Sequence, residues 1–122
     1  MNQPKILIVE DEWITAADLK SLLDARGYEV TGVAPTGEEA IALADRTKPD
    51  VILMDIRLKG KIDGYEAAQV IKAQSDLNPA IIFLSAFSAP NLSSLGGKNS
   101  FLPKPISGES LMVLIETMLR SD

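Results

Sequence analysis

Three short apolar runs constrain the fold of this 122-residue chain more than any other feature. They cover residues 6–9, 51–54 and 80–84, and within each run the apolar side chains are continuous instead of alternating with polar ones. Runs of this kind are typical of strands that are covered on both faces. Weaker strand signals at residues 28–33 and 100–102 are shorter or more polar, which predicts the edges of the same sheet.

Helical patterns lie between the strand signals. Residues 13–25 place leucines on one stripe, and Thr36 and Glu39 have the spacing of a capping box. A third helix is predicted after the turn signal at Asp63, and the last after Ser107 as N-cap. Regular alternation of strand and helix predicts an α/β fold with a parallel sheet covered on both faces. With the weak strands at the edges, we expect a flavodoxin-like, doubly wound, five-stranded sheet of order 2-1-3-4-5.

The fourth crossover departs from this pattern. Residues 88–99 should supply the fourth helix, but proline, asparagine, serine and glycine dominate the segment. We therefore expect an irregular or shortened fourth helix. No repeat, linker or low-complexity stretch interrupts the pattern, which predicts that residues 1–122 form one domain.

Composition excludes several classes of chemistry. The chain has no cysteine and no histidine, so disulfides, thiolate metal sites and the usual general base are absent. A net charge of −5 argues against direct binding of nucleic acid. No apolar run is long enough to cross a membrane and no signal peptide is recognisable, so we expect no membrane partner and a cytoplasmic location.

Polar side chains follow four of the predicted strands. Glu10 and Asp11 follow the first strand, Asp55 the third, Ser85 the fourth and Lys104 the fifth. Ligands of open α/β sheets bind at the carboxyl ends of the strands, where the strand order reverses, so these groups should share one cleft. Neighbouring carboxylates repel one another, and a hard cation with oxygen ligands resolves that repulsion. The site therefore suits Mg²⁺, with Mn²⁺ as the alternative.

A carboxylate, a divalent cation and a lysine are the groups that phosphoryl transfer to aspartate requires. The carboxylate is the nucleophile, and the two cations stabilise the charge on the phosphoryl oxygens. No general base is needed because aspartate is already ionised at neutral pH. The missing histidine is thus no obstacle to this chemistry.

Four motifs carry a resemblance to a known family. They are the apolar run that ends in Glu10-Asp11, Leu-Met-Asp-Ile-Arg around Asp55, Phe-Leu-Ser-Ala around Ser85, and Phe-Leu-Pro-Lys-Pro around Lys104. In this order and spacing they resemble the receiver domains of two-component response regulators over nearly the whole chain. The resemblance implies a phosphorelay switch that catalyses its own phosphorylation and dephosphorylation and is not otherwise an enzyme.

The resemblance also implies partners and a metal site. Asp55 would accept a phosphoryl group from the phosphohistidine of a sensor histidine kinase or phosphotransfer protein. Glu10, Asp11 and Asp55 would bind Mg²⁺ together with the backbone carbonyl of Arg57. The downstream protein target is not indicated by the sequence.

The remaining family positions concern phosphate binding and switching. Lys104 would bind the phosphoryl group and be joined to Pro105 by a cis peptide bond. Ser85 would be the switch hydroxyl and Phe101 the switch aromatic residue. Trp13 is expected to pack partly exposed beside the cleft.

Three other interpretations compete with a working receiver. A phosphatase with an aspartate nucleophile would have an Asp-x-Asp pair after its first strand, whereas Asp55 follows the third. A flavin-binding domain would need a phosphate-binding loop where residues 10–12 are all acidic. The third interpretation, a degenerate receiver that binds partners without being phosphorylated, stays open because of the unusual residues 88–99. Whether the domain acts alone or within a longer protein is also open.

Overall fold

The structure, a computed structural model, describes residues 3–74, 76 and 78–120. Within these residues five strands alternate with four α-helices. The strands are β1 (Lys5–Val9), β2 (Glu29–Ala34), β3 (Val51–Asp55), β4 (Ala80–Ser85) and β5 (Asn99–Pro103). The helices are α1 (Trp13–Ala25), α2 (Gly37–Thr47), α3 (Gly64–Ala73) and α4 (Gly108–Arg120).

The strands form one parallel sheet of order β2-β1-β3-β4-β5, which confirms the predicted fold and strand order. β1, β3 and β4 are buried almost throughout, whereas the edge strands β2 and β5 are partly exposed. The register of β2 against β1 shifts between Ile6 and Leu7, which marks a bulge in this edge. No helix in the described part of the chain is long and apolar enough to span a bilayer.

Each central strand sends alternate side chains to opposite faces of the sheet. Ile8 and Leu53 pack under α1 and α4, on what we call the α1/α4 face. Leu7 and Ile52 pack under α2 and α3, on the α2/α3 face. The apolar runs are continuous because both faces are covered.

The fourth crossover is irregular, as predicted. Between β4 and β5 the only helical element in the described residues is a single 3₁₀ turn at Leu92–Ser94. Leu92 and Leu95 pack against the α2/α3 face. The hydroxyl of Tyr65 on α3 donates a hydrogen bond to the carbonyl of Asn91 (2.8 Å) and makes a second hydrogen bond with Ser94 Oγ. Two leucines and one tyrosine thus hold this segment in place of a helix.

The helix starts differ in one respect from the prediction. Thr36 Oγ1 accepts from Glu39 N (3.1 Å), but the Glu39 carboxylate contacts the Thr36 hydroxyl, so the predicted capping box is only half formed. The complete box lies at α3, where Asp63 accepts from Glu66 N and Glu66 accepts from Asp63 N. This box fixes the start of the helix that follows the Asp55 loop.

Candidate active site

Three carboxylates meet at the carboxyl ends of β1 and β3. Glu10, Asp11 and Asp55 each offer one oxygen, and these three oxygens lie within 4.8 Å of one another. Glu10 and Asp55 are buried, with 1% and 5% of their surface exposed. The adjacent parallel strands bring together residues that are more than forty positions apart, as the sequence predicts.

Lys104 connects two of these acids. Its ammonium lies 2.9 Å from Glu10 Oε1 and 3.1 Å from Asp55 Oδ2. The backbone N–H of Lys104 donates to the carbonyl of Ser85 (2.8 Å), which ties the end of β5 to the end of β4. The peptide bond between Lys104 and Pro105 is cis, as predicted. The lysine is therefore placed at the acid cluster by backbone contacts as well as by charge.

The charges in this cluster perturb one another. Burial raises the pKa of Glu10 to about 7, assisted by the negative charge of Asp55 and opposed by the hydrogen bond from Lys104. Burial works to lower the pKa of Lys104, but hydrogen bonds to Glu10 and Asp55 outweigh burial and raise it. One ammonium faces three carboxylates, so the cluster carries an excess of negative charge that favours a cation.

The donor set fits a hard divalent cation. All three side chains offer carboxylate oxygens, which Mg²⁺ and Mn²⁺ prefer over nitrogen or sulfur. The backbone N–H of Arg57 donates to Asp55 Oδ1 (3.3 Å), so the residue whose carbonyl is the predicted additional ligand lies beside this carboxylate. The Arg57 guanidinium lies over the ring of Phe87, with its Cζ 4.2 Å from the ring centroid.

The two predicted switch residues lie on neighbouring strands. Ser85 is buried, and its hydroxyl oxygen accepts a hydrogen bond from the backbone N–H of Phe87 (3.0 Å). Phe101 is partly buried on β5, pairs in register with Phe83 and packs against the α2/α3 face. The hydroxyl is therefore tied to the start of the irregular fourth crossover.

Sequence reasoning missed one residue that shapes the site. A Cβ on Gly64 would lie 2.0 Å from the carbonyl oxygen of Asp55, so only glycine lets α3 begin this close to the acid cluster. The N–H of Gly64 also donates to the carbonyl of Ile56 (2.8 Å). The Asp-Gly pair that signals a turn here could have indicated this close approach. Trp13, expected to pack partly exposed beside the cleft, is 78% exposed at the start of α1.

Comparison with known proteins decides the family. The family model described as the response regulator receiver domain matches residues 6–116. The chain belongs to the response regulator receiver family. It is a signalling domain of two-component systems, in which receivers accept phosphoryl groups from a histidine kinase or another phosphodonor.

Individual relatives agree with this assignment. The chain is 38% identical over 115 residues to the transcriptional regulatory protein PdtaR of Mycobacterium tuberculosis, covering 92% of this chain and 55% of PdtaR. The magnesium-bound receiver domain of the sensor histidine kinase PA1611 from Pseudomonas aeruginosa superposes with a TM-score of 0.85 at 31% identity, covering 98% and 100% of the two chains. A response regulator structure from Chloroflexus aurantiacus superposes with a TM-score of 0.86 at 29% identity, and the match covers 98% of this chain and 100% of that one. The chain spans about half the length of the curated relatives it matches.

Proposed function

We propose that Asp55 is the phosphoacceptor of this receiver and that residues 1–122 form one receiver domain. The supporting observation is its buried carboxylate, which Lys104 contacts and which shares a 4.8 Å cluster with Glu10 and Asp11. The donor is a sensor histidine kinase or a phosphotransfer protein, and the result is a change in binding to a downstream protein. The proposal includes a cytoplasmic location, because that is where such kinases present their phosphohistidine.

The transfer step uses residues that are already in place. An oxygen of Asp55 forms a bond to phosphorus while the bond from phosphorus to the donor histidine nitrogen breaks, and the imidazole leaves with that electron pair. The carboxylate is the nucleophile in its ionised form, so the chain needs no general base. The protein thereby catalyses its own phosphorylation, and attack by water on the acyl phosphate reverses the modification.

Lys104 stabilises the developing charge. Its ammonium already lies 3.1 Å from Asp55 Oδ2, and its raised pKa keeps it charged at neutral pH. On phosphorylation this ammonium pairs with a phosphoryl oxygen. Glu10 Oε1 lies 2.9 Å from the same ammonium and helps to hold it beside the acceptor.

Glu10, Asp11 and Asp55 would hold Mg²⁺, or Mn²⁺ in its place, with the backbone carbonyl of Arg57. When bound, the cation supplies positive charge that offsets the repulsion between the acid cluster and an incoming phosphoryl group. The buried and closely spaced acids explain why such a charge is required, since Lys104 offsets only part of theirs.

The switch begins at Ser85. Its hydroxyl turns from the Phe87 N–H toward a phosphoryl oxygen and donates a hydrogen bond there. Phe101 then turns toward the space that the hydroxyl leaves, which changes the surface around β4 and β5. That surface is where a downstream partner would detect the phosphorylated state.

The test is a measurement of intact mass after incubation with acetyl phosphate and Mg²⁺. We expect a gain of roughly 80 Da, the mass of one phosphoryl group, in the wild type. Asp55→Asn and a metal-free sample should show no gain. Asp50→Asn is the matched control, because it removes the same charge at the opposite end of β3 and should be phosphorylated normally.

Two outcomes would overturn the proposal. The first is equal phosphorylation of Asp55→Asn, which would assign the acceptor to another residue. The second is an unmodified wild type with both acetyl phosphate and a phosphorylated kinase as donor. That result would identify a degenerate receiver, which binds partners without accepting phosphate.

A further inference from the structure

The loop between β3 and α3 is clamped to the start of α2. Thr36, just before α2, forms an isolated parallel bridge with Lys59 of the loop. Next to it, the backbone N–H of Lys61 donates a hydrogen bond to Glu38 Oε2 (3.1 Å). The loop that follows Asp55 is therefore attached through backbone and side-chain contacts to a helix outside the acid cluster.

Two glycines allow this clamp to be tight. Gly60 in the loop has φ +105°, and a Cβ there would lie 2.9 Å from Glu38 Oε1. Gly37, the first residue of α2, is buried, and a Cβ there would lie 2.7 Å from Cγ1 of Ile62. The Glu38 carboxylate thus packs directly against loop backbone, a contact that any larger residue at position 60 would disturb.

Glu38 has a simpler explanation, which its neighbour helps to test. An acidic side chain in the first turn of a helix interacts favourably with the helix dipole wherever it points. Glu39 has the same charge in the same turn, but its carboxylate contacts the local Thr36 hydroxyl. Only Glu38 accepts from a backbone N–H 23 residues away. A dipole effect would be shared by both residues, whereas control of the loop would belong to Glu38 alone.

The other end of the loop is fixed as well. Gly64 N donates to the carbonyl of Ile56, and Arg57 N donates to Asp55 Oδ1. Arg57 therefore lies between a point fixed on α3 and a point fixed on α2. The direction of its carbonyl depends on both attachments, because the short segment between them has little freedom.

We infer that Glu38 is a positioning residue for the cation site, acting through the Lys61 amide on the loop that carries the Arg57 carbonyl. The inference rests on the proposed function, which names that carbonyl as a ligand. Glu38 itself does not touch the cation. Its effect is to reduce the number of loop conformations in which the carbonyl points away from the carboxylates.

The test is an NMR titration of the ¹⁵N-labelled chain of residues 1–122 with Mg²⁺. We expect Glu38→Ala to weaken Mg²⁺ binding about 3- to 10-fold, which is less than the roughly 10- to 100-fold typical of residues that contact a metal ligand directly, because Glu38 acts through the loop backbone. The Lys61 amide should also exchange faster with solvent in this variant. Glu38→Gln retains an acceptor oxygen and should stay within about twofold of the wild type, as should Glu39→Ala.

The variants separate positioning from charge. Equal weakening in Glu38→Gln and Glu38→Ala would mean that the negative charge matters and not the hydrogen bond, which would overturn the inference. Wild-type affinity in Glu38→Ala would overturn it too. A wild type that binds no Mg²⁺ would instead overturn the proposed metal site, and the inference with it. Cooperative thermal unfolding of each variant shows that a change in affinity is not a loss of fold.

Discussion

The two faces of the sheet are completed in different ways. On the α1/α4 face, two helices of thirteen residues each cover the strands with large apolar side chains such as Leu23, Leu111 and Ile115. On the α2/α3 face the helices have eleven and ten residues and contribute mainly alanines. Leu92 and Leu95 from the irregular crossover, held by the hydroxyl of Tyr65, also pack on that face, as do Ile56, Leu58 and Ile62 from the loop after β3.

This difference shows how a receiver can do without an α-helix between β4 and β5. A packed helix removes apolar surface from water, and its backbone groups are already paired within the helix. An irregular segment must find separate hydrogen-bond partners for its backbone N–H and C=O groups. Here the Asn91 carbonyl is paired by Tyr65, and Ser93 N by the Asn91 side chain. We expect the α1/α4 face to depend on apolar burial and the crossover to depend on a few polar contacts.

The largest expected effect is on the α1/α4 face. Ile115 is fully buried between α4 and the sheet, so Ile115→Ala should lower the free energy of unfolding by about 3 kcal/mol. Urea denaturation measures this loss. Val113 lies on the same helix but is 58% exposed, and Val113→Ala should change stability by less than about 0.5 kcal/mol. Similar losses in both variants would contradict the assignment of the buried face.

A smaller loss is expected for the leucine of the crossover. Leu95 is 9% exposed and lies in an irregular segment, which we expect to move into the space that a smaller side chain would leave. Leu95→Ala should therefore lower the free energy of unfolding by only about 1–2 kcal/mol. The same denaturation experiment applies. A loss as large as that of Ile115→Ala would break the comparison, because the crossover would then be packed as firmly as a helix.

Removal of one hydroxyl tests the polar side of the comparison. Tyr65→Phe keeps the ring beside Phe83, with centroids 6.0 Å apart, but removes the bonds to Asn91 and Ser94. We expect a loss of about 1 kcal/mol and faster amide hydrogen exchange confined to residues 88–98. Tyr28→Phe on the α1/α4 face is the control and should leave that exchange unchanged. Faster amide exchange throughout the molecule would contradict the view that these two hydrogen bonds hold the crossover only locally.

The smallest effect concerns Lys72, which donates to the carbonyls of Pro79 (2.7 Å) and Lys98 (3.3 Å) beside the crossover. Burial, with the positive charge of Lys98, lowers the pKa of Lys72 to about 8. Between that pH and its ordinary value of 10.5 the unfolded chain binds more protons, so stability should rise with pH. In urea denaturation, the free energy of unfolding of the wild type should rise relative to that of Lys72→Met between about pH 7 and pH 9.5. The rise should be small because solvent screens the partly exposed ammonium. If the difference in unfolding free energy between the two proteins does not change with pH, burial does not destabilise the charged form of Lys72.

The sequence was sufficient for the fold and for the location of the site, for a shared reason. Continuous apolar runs identify the central strands, and parallel strands must bring their carboxyl ends to one edge. The sequence alone therefore predicted that Glu10, Asp55 and Lys104 lie together, although they are far apart in the chain.

Contacts between a loop and the first turn of a helix could not be predicted in this way. The hydrogen bond from Lys61 N–H to Glu38 joins the irregular loop after β3 to the start of α2, and its geometry depends on the positive φ of Gly60. The capping box at Asp63 and Glu66 was missed for a different reason, since the same spacing occurs at Thr36 and Glu39 and only the structure shows which pair closes. The form of the crossover was likewise undetermined, because turn-forming residues exclude a helix without specifying what replaces it.

The two edge strands have a consequence for behaviour at high concentration. An open sheet edge can pair with the edge of another molecule and start aggregation. β2 is interrupted by its bulge, while β5 is only five residues long and ends in Pro103. Bulges, short length and proline all disfavour intermolecular strand pairing. The chain can therefore keep its sheet open on both sides without becoming a template for fibres.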